Sequence, residues 1–370
     1  MKIHHYMIYI IIIILYPNLF YGFEYDKDTT NKRILIYHGG IDYKSIDNAT
    51  NDNKLLNNAT LNEYATTSGT NGTISVFYIG NTMPTTFSGG TINFYYDGTA
   101  LGGSTSLGGL FVARPQTIGD AGPITFDSNI SVNIAPNSNM GRAFFLGLGS
   151  ATRSGDFIFK KNLIVNVDNA LPRLTCDTTC DPRTGWRVRS IFELENQGNA
   201  YVNYDPTTGQ TLNPDNIIQL KGDINFSDTR DSKNSNVFIN LSNSDSFLIG
   251  ITRTARNDPA SNSFANLTLQ NGGKWYLTGS SIVNNLNISN PSKPKSLDTY
   301  TEKSFSIVDL SHYDSSNING VYCPTGECYR LISPTPFASR TLNVNTINGN
   351  NGVFRLMADV DRGLIDTIRA

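Results

Sequence analysis

Charged residues are scarce in this chain. Asp, Glu, Lys and Arg make up 16% of its 370 residues, against about 25% in ordinary soluble domains. The net charge is −2, so no basic surface attracts nucleic acid or an anionic membrane. Polarity comes instead from Asn, Ser, Thr and Gly, which serve turns and strand faces better than helices. Disorder is also disfavoured, because it is typical of chains with high net charge.

The motifs of common enzyme classes are absent as well. The sequence contains four His, and His38 and His312, the two outside the N-terminal apolar segment, lie in no catalytic motif. There is no G-x-S-x-G nucleophile turn, no H-E-x-x-H zinc motif and no P-loop. We therefore predict no catalytic, cofactor-binding or metal-binding residues. A secreted polysaccharide-cleaving enzyme remains an alternative, because acids from separate turns of a β-structure can meet in space.

Cysteines are few and fall into two close pairs. Cys176 and Cys180 are separated by three residues, and Cys323 and Cys328 by four. In an oxidising compartment such pairs form local disulfides that fix surface loops. A shared metal site would need the two pairs to converge, and nothing in the sequence brings them together.

The N-terminus has the composition of a secretory signal. Lys2 precedes the apolar stretch Tyr6–Tyr16, which is too short for a spanning helix, and Pro17 then interrupts it. We predict a signal peptide over residues 1–22, with cleavage near Gly22. An uncleaved membrane anchor and a buried core helix are the alternatives.

Helical periodicity is almost absent from the rest of the chain. Short runs with period-2 alternation recur instead, bounded by Gly, Asn and Asp, which is the signal of half-buried strands. The predicted strands are 33–37, 73–79, 90–96, 109–113, 124–134, 143–148, 156–167, 188–194, 200–204, 217–226, 237–241, 247–252, 265–269, 274–277, 282–288, 305–310, 341–347 and 353–360.

Imperfect repetition of strand, polar break and strand favours a solenoid over a globular fold. Residues 155–169, 221–243 and 266–289 share this pattern without a constant period. A parallel β-helix would stack such coils on one continuous core. We predict a polar N-terminal cap over residues 23–68 and an irregular β-solenoid over residues 69–260. A pair of β-sandwich domains is the alternative.

Two C-terminal segments resemble a known family. Residues 271–286 carry a G-x-W-x-L-T-G-x-S-x-V-x-x-L pattern through Trp275, Gly279 and Leu286, and it resembles a rung of pertactin-like autotransporter passengers. Residues 339–370 resemble the signature near the C-terminal end of the same passengers, at Gly349, Gly352, Phe354 and Asp359. The resemblance covers about the last hundred residues, 261–370.

The resemblance implies roles for these residues. Trp275 would pack over its coil, while Leu277, Val283 and Leu286 would point into the core. Phe354 and Leu356 would share an inward strand face. Gly352 would end the turn Asn348–Gly352 with a positive φ angle.

The resemblance also implies a fold and a function. Members of the family are right-handed parallel β-helices, exported through the periplasm and a C-terminal β-barrel translocator. We therefore expect an elongated, surface-exposed or secreted adhesin-type protein with no catalytic site of its own, truncated before its translocator. Its partner would be a receptor or glycan on a host or neighbouring cell, and a downstream reading frame would encode the β-barrel.

Two features of the sequence concern carbohydrate: aromatic residues that could bind sugars, and Asn residues that could be glycosylated. Tyr95, Tyr96, Trp186 and Trp275 are candidates for stacking on sugars, although such residues more often form ladders that cover a core. Asn129 and Asn225 lie in N-x-S sequons with an acid two residues earlier, an acceptor pattern for glycosylation.

Overall fold

The computed structural model describes a series of segments separated by gaps. The described residues are 34–38, 41–46, 53–55, 60–65, 75–79, 84–96, 109–113, 122–134, 142–146, 155–167, 190–194, 197–226, 234–253, 262–293, 304–311 and 339–370. They are nearly all β-strand, and most of the strands pair in parallel. The prediction of an all-β parallel fold is confirmed.

The strands are short and follow one another closely. In the N-terminal part they are β1 (Ile34–His38), β2 (Ile41–Ile46), β3 (Asn53–Leu55), β4 (Thr60–Ala65), β5 (Ser75–Ile79), β6 (Thr85–Tyr96), β7 (Gly109–Ala113), β8 (Ile124–Ile134) and β9 (Arg142–Leu146). The middle part contains β10 (Phe157–Phe159), β11 (Leu163–Asn166), β12 (Ser190–Leu194), β13 (Ala200–Val202), β14 (Ile218–Lys221), β15 (Asp223–Phe226), β16 (Asn236–Leu241), β17 (Phe247–Ile249) and β18 (Thr252–Arg253). The C-terminal part contains β19 (Phe264–Leu269), β20 (Lys274–Tyr276), β21 (Ser281–Ile288), β22 (Ile307–Asp309), β23 (Thr341–Asn348), β24 (Val353–Arg355), β25 (Ala358–Asp359), β26 (Leu364–Ile365) and β27 (Thr367–Arg369).

The parallel pairings define three ladders. Ladder A joins β3, the first part of β6 and of β8, then β10, β13, β16, β19 and the last parts of β21 and β23. Ladder B joins β4, the last part of β6 and of β8, then β11, β14, β17, β20, β22 and β24. Ladder C joins β5, β7, β9, β12, β15 and β18.

From β3 to β18 the chain passes through ladders A, B and C in that order and then repeats, and one such turn is here called a coil. Ladders A and B continue through the C-terminal coils. This arrangement is consistent with a parallel β-solenoid, whereas β-sandwich domains are built from antiparallel strands. The coils differ in length: Ser235 and Ser263 hydrogen-bond across 28 residues, and Asn345 and Asn284 across 61. The prediction of irregular coils agrees with these spacings.

Within the described segments, antiparallel pairing occurs only near the two ends and at one corner, where Tyr204 forms a bridge with Thr211. Strand β1 pairs antiparallel with β2 and with β5, and β25 pairs antiparallel with β26. The segment predicted as a polar N-terminal cap thus contains four strands, β1 to β4, where the sequence indicated one.

The core consists of apolar columns that run from coil to coil. One column in ladder A aligns Phe87, Phe126, Phe159, Val202, Ile239, Leu267, Leu286 and Ile347 in direct register. All are buried except Ile347 on the last coil, which is 38% exposed. Every second side chain of a strand points into the core. The side chains between them form the outer face of the ladder, which does not need to be apolar.

Candidate functional site

The outward face of ladder A carries no charge over its C-terminal coils. Its outward side chains on β13, β16, β19, β21 and β23 alternate with the core residues, and we call them the uncharged face: Tyr201, Asn236, Phe238, Asn240, Phe264, Asn266, Thr268, Asn285, Asn287, Thr346 and Asn348. Amide, hydroxyl and aromatic groups are suited to recognising uncharged polar ligands.

Three aromatic rings cluster on this face. Tyr201 and Phe238 are register partners on adjacent coils, with ring centroids 5.3 Å apart and an interplanar angle of 10°. Tyr204 stacks on Phe238 at 4.8 Å and on Tyr201 at 5.9 Å. All three side chains are half-buried, so the cluster is packed and still reaches the surface.

A polar corner places Tyr204 over the other two rings. Asn203 adopts a φ angle of 51°, a left-handed conformation that Asn tolerates better than most residues. Its Oδ1 accepts hydrogen bonds from Asn213 N at 3.0 Å and Asn216 Nδ2 at 2.9 Å, and its Nδ2 donates to Ser242 Oγ at 3.0 Å. Beyond it, Tyr204 forms an antiparallel bridge with Thr211. The buried amide therefore fixes the loop that carries the third ring.

A row of amides leads along the same side of the molecule to the aromatic cluster. Asn345 Nδ2 donates to Asn284 Oδ1 at 3.1 Å, and Asn284 Nδ2 donates to Asn266 Oδ1 at 3.3 Å. Asn285 Nδ2 donates to the same Asn266 oxygen at 2.9 Å. Asn266 is the register partner of Phe238 and is 8% exposed.

The amide nitrogen of Asn266 is unusual in this row. It is buried and has no hydrogen-bond partner among the described residues. Most buried polar atoms in native proteins are hydrogen-bonded, so this nitrogen is an exception within the packed structure, and because it is buried it offers no surface group to a ligand.

A second cluster lies on ladder C, and it is charged. Arg142 on β9 forms an ion pair with Glu193 on β12 and also lies 5.2 Å from the ring centroid of Phe145. Both charged residues are buried, at 7% and 2% exposure. Burial raises the pKa of the Glu193 carboxyl above its ordinary value, against the opposing effect of Arg142.

Polar residues of the next coils extend this charged cluster. Asn225 is in register with both Glu193 and Arg253, and its Nδ2 donates to Ser190 Oγ at 2.7 Å. Burial lowers the pKa of the Arg253 guanidinium. Because Glu193 is covered, a substrate has no direct access to its carboxyl, and a structural role fits the ion pair best.

The tryptophan rung predicted from sequence lies in the core. Trp275 is fully buried, and its Nε1 donates to Gly250 O at 3.1 Å. Leu277, Val283 and Leu286 are also fully buried. A Cβ on Gly279 would lie 3.4 Å from Ile251 Cγ2. The alternative that Trp275 stacks on a sugar is wrong, because its ring does not reach the surface.

The C-terminal turn and the strand that follows it each differ from the prediction in one respect. Positive φ angles occur at Gly349 and Asn351 rather than at Gly352. Gly352 is required by close packing, because a Cβ there would lie 2.6 Å from Ile288 Cγ2. The prediction that Leu356 points inward is also wrong: strand β24 ends at Arg355, and Leu356 is 45% exposed.

The remaining C-terminal residues have local structural contacts. Phe354 is partly buried and packs against the main core. Asp359 Oδ1 accepts a hydrogen bond from Arg362 N at 3.1 Å and thereby closes the turn before Gly363. Neither residue belongs to the uncharged face.

Several sequence predictions fall outside the described residues. They include the signal peptide over residues 1–22, both cysteine pairs (Cys176 with Cys180 and Cys323 with Cys328), Trp186, and the side chains of Tyr95 and Tyr96. Of the two sequons, Asn129 is exposed, whereas Asn225 is 1% exposed and uses its amide nitrogen in a hydrogen bond.

Comparison with known proteins identifies no relative. No protein-family model, no curated protein and no solved structure matches this chain. The part of the chain that the structure describes contains no helix of the length and hydrophobicity needed to cross a bilayer. It also contains no group of three His, Cys, Asp or Glu side chains placed to hold a metal ion.

Sequence reasoning missed the residues of the aromatic cluster and the amide row. The strands 200–204 and 237–241 were predicted, and alternation within them would have placed Tyr201 and Phe238 on one outward face. Only the register between coils shows that these rings stack on each other and lie beside Asn266.

Proposed function

We propose that this chain is the passenger of a pertactin-like autotransporter. In this proposal it is an elongated, right-handed parallel β-helix that is exported through the periplasm with the help of a β-barrel translocator. It acts at the cell surface, or after release, as an adhesin-type binding protein without a catalytic site of its own. Its partner is a receptor or glycan on a host or neighbouring cell.

The fold and the C-terminal motifs support this proposal. Parallel ladders that place successive strands on three sides agree with the β-helix of such passengers. The residues that resemble the passenger rung occupy core positions, with Trp275 and Leu286 both fully buried. The apolar stretch Tyr6–Tyr16 supports export.

The observation that carries the binding function is the uncharged face. It crosses several coils and presents the half-buried rings of Tyr201, Tyr204 and Phe238 among uncharged polar side chains. Aromatic residues flanked by a few placed polar groups are the usual composition of a recognition surface.

A cell-binding assay tests this function. Beads coated with the full chain should be retained on cells, and beads coated with a Phe238→Ala, Tyr201→Ala double variant should be retained several-fold less. Gln219→Ala is the matched control, because Gln219 points outward on ladder B. A folded wild-type chain that is retained on no cell type tested would contradict the proposal.

A further inference from the structure

We infer that Asn348 is a site of spontaneous deamidation, where the side-chain amide becomes a carboxylate through a cyclic intermediate formed with Gly349. The inference goes beyond the proposed binding function and does not depend on it, because the reaction needs only the folded chain and water. Three Asn–Gly pairs lie in the described segments, at Asn271, Asn348 and Asn351. They share the same dipeptide, and the structure holds two of them and leaves the third free.

The reaction begins at the backbone nitrogen that follows the asparagine. This nitrogen gives up its proton and attacks Cγ of the side chain, the bond from Cγ to the amide nitrogen breaks, and the proton leaves with that nitrogen as ammonia. Water then opens the five-membered ring at either of its two carbonyl carbons and leaves aspartate or isoaspartate. Glycine after the asparagine favours ring closure, because no Cβ obstructs the attack and its backbone turns easily.

The Asn348–Gly349 pair has the freedom that this reaction requires. Asn348 ends strand β23, Gly349 follows the strand, and residues 345–350 are all exposed. Within the described segments no hydrogen bond holds the Asn348 side chain or the Gly349 N–H. On its outer side β23 pairs with β27 only at Thr341–Asn343, so the end of β23 is an edge that opens locally at low cost.

The Asn351–Gly352 pair is held by a reciprocal contact with another coil. Asn351 Nδ2 donates to Asn290 O at 3.2 Å, and Asn290 Nδ2 donates to Asn351 O at 2.9 Å. Gly352 packs so closely against Ile288 that an added Cβ would lie 2.6 Å from its Cγ2. Rotation of the Asn351 side chain onto the Gly352 nitrogen would break the contact with Asn290, so this pair is protected.

The Asn271–Gly272 pair is held through its backbone. The turn is closed by Gly273 N, which donates to Gln270 O at 3.1 Å. The Gly272 N–H, the group that would attack, is buried and donates to Ser306 Oγ at 3.3 Å. The Asn271 side chain is exposed, so exposure of the asparagine alone does not distinguish this pair from the reactive one. The difference is that its attacking nitrogen is occupied.

Deamidation at Asn348 would change both the surface and the last coil. Asn348 belongs to the uncharged face, in register with Asn287, so the product places a carboxylate on that face. Isoaspartate also inserts the side-chain Cβ into the backbone. Gly349 lies so close to Ile288 that an added Cβ would be 2.1 Å from Ile288 O, and a lengthened backbone at this point disturbs the contact. The folded protein therefore alters its C-terminal coil as it ages.

Peptide mass spectrometry of the full chain over time tests this inference. The folded protein is kept in mildly alkaline buffer and digested at mildly acidic pH, where the reaction is slow. Fragment ions assign each mass increase to one asparagine, and labelling by an isoaspartate methyltransferase identifies isoaspartate. We expect Asn348 to react about ten-fold faster than Asn271 and Asn351 or more, since the two held pairs must first open locally. In urea, where only the local sequence acts, the three rates should converge.

Ser306→Ala tests the cause of the protection. It removes the acceptor of the Gly272 N–H and keeps the backbone contacts of residue 306 with Asn290. We expect deamidation of Asn271 to become several-fold faster in this variant and that of Asn348 to keep its wild-type rate. Asn348→Gln is the matched control, because ring closure from the longer side chain is much slower. It should abolish the modification at position 348 and leave the other two rates and the circular dichroism unchanged.

Two results would overturn the inference. One is deamidation of Asn271 or Asn351 in the folded chain as fast as that of Asn348. The other is a folded chain in which Asn348 stays intact for as long as complete conversion takes in urea. If Ser306→Ala does not fold, the comparison of the three wild-type rates in buffer and in urea decides by itself.

Discussion

Gly273 lies where two neighbouring coils approach closely. A Cβ on this residue would be 2.1 Å from Leu241 O, a distance that requires the backbone to move. Gly363 has a different reason to be glycine: its φ angle is 63°, and nothing lies within 4 Å of the added Cβ. One position is restricted by packing between coils and the other by backbone conformation alone.

The two glycines therefore give a prediction about stability. Gly273→Ala should lower the free energy of unfolding by about 1–3 kcal/mol or more, the usual cost of overpacking. Gly363→Ala should lower it by about 1–2 kcal/mol through the left-handed φ angle. Gly363→Asn, as a control, should recover part of that loss, and Gly273→Asn should recover none. Urea unfolding measures both series, and a Gly273→Asn variant more stable than Gly273→Ala would contradict the packing argument.

The buried carboxyl of Glu193 makes stability depend on pH. Burial raises its pKa in the folded state above the ordinary value of 4.5. A raised pKa means that the folded state holds the proton more tightly than the unfolded state does, so this contribution to stability is present below pH 4.5 and is lost as the pH rises through the folded-state pKa.

Glu193→Gln tests this linkage, because glutamine cannot titrate. The variant should lack this component of the pH dependence, and its stability relative to the wild type should improve as the pH rises through that window. Thermal unfolding at a series of pH values measures the difference. A constant difference between the two proteins across the window would show that Glu193 has the same pKa in the folded and unfolded states.

Two columns of phenylalanine fill the core between β6 and β12. Phe87, Phe126 and Phe159 stack in ladder A, with centroids 5.0 and 4.8 Å apart. Phe111, Phe144 and Phe192 stack in ladder C at 4.9 and 5.5 Å. From β13 onward the ladder A column continues with Val202, Ile239, Leu267 and Leu286, so the core changes from aromatic to aliphatic along the stack.

The loss of stability on replacing a phenylalanine by alanine should depend on how deeply its ring is buried at its position along the stack. Phe144 is fully buried in the ladder C column and also contacts Phe126 and Phe159 of the ladder A column, so Phe144→Ala should lower stability by about 3–5 kcal/mol. Phe354 is only partly buried on β24, so Phe354→Ala should cost clearly less than this. Limited proteolysis should show that Phe354→Ala loosens the C-terminal coils before the rest of the chain. Equal losses for the two variants would contradict the graded burial.

Much of the strand pattern could be predicted from sequence, because alternation and turn residues are local properties. Strands β7 and β8 have the predicted bounds, and β16, β19 and β21 each begin within one residue of the prediction. The pattern failed where one run covers two strands: residues 156–167 and 217–226 each divide at a corner between ladders. These corners have three residues and one residue outside the strands, and so short an interruption leaves little trace in the alternation.

The candidate site was harder to predict, since it depends on register between distant segments. Nothing local relates Phe238 to Tyr201 or to Asn266, which are aligned by pairing across coils of different length. The glycines of the C-terminal turn show the same limit. Gly352 faces Ile288 from another coil, so its need for glycine could not be recognised from the turn sequence.

The proposed solenoid predicts the overall shape of the protein and the effect of reducing its disulfides. The mature protein should give a strand-dominated circular dichroism spectrum and a scattering profile longer than that of a globule of the same mass. The cysteine pairs close loops of three and four residues, which add little by loop entropy, so reduction should leave most of the strand signal. A compact scattering profile, or a disulfide between Cys176 and Cys323 in unreduced peptide maps, would contradict the solenoid.

The unequal spacing of the coils has a consequence for how such a chain can change. The ladders accommodate coils whose hydrogen-bonded partners are 28 residues apart and others that are 61 apart. Doubling the length of a closed loop costs only about 0.6 kcal/mol in closure entropy. Insertions at corners, such as the segment between Asn203 and Asn216, can therefore be gained or lost while the columns of core residues keep their alignment. New surface loops can arise without repacking the interior, and one scaffold can present different loops next to the same face.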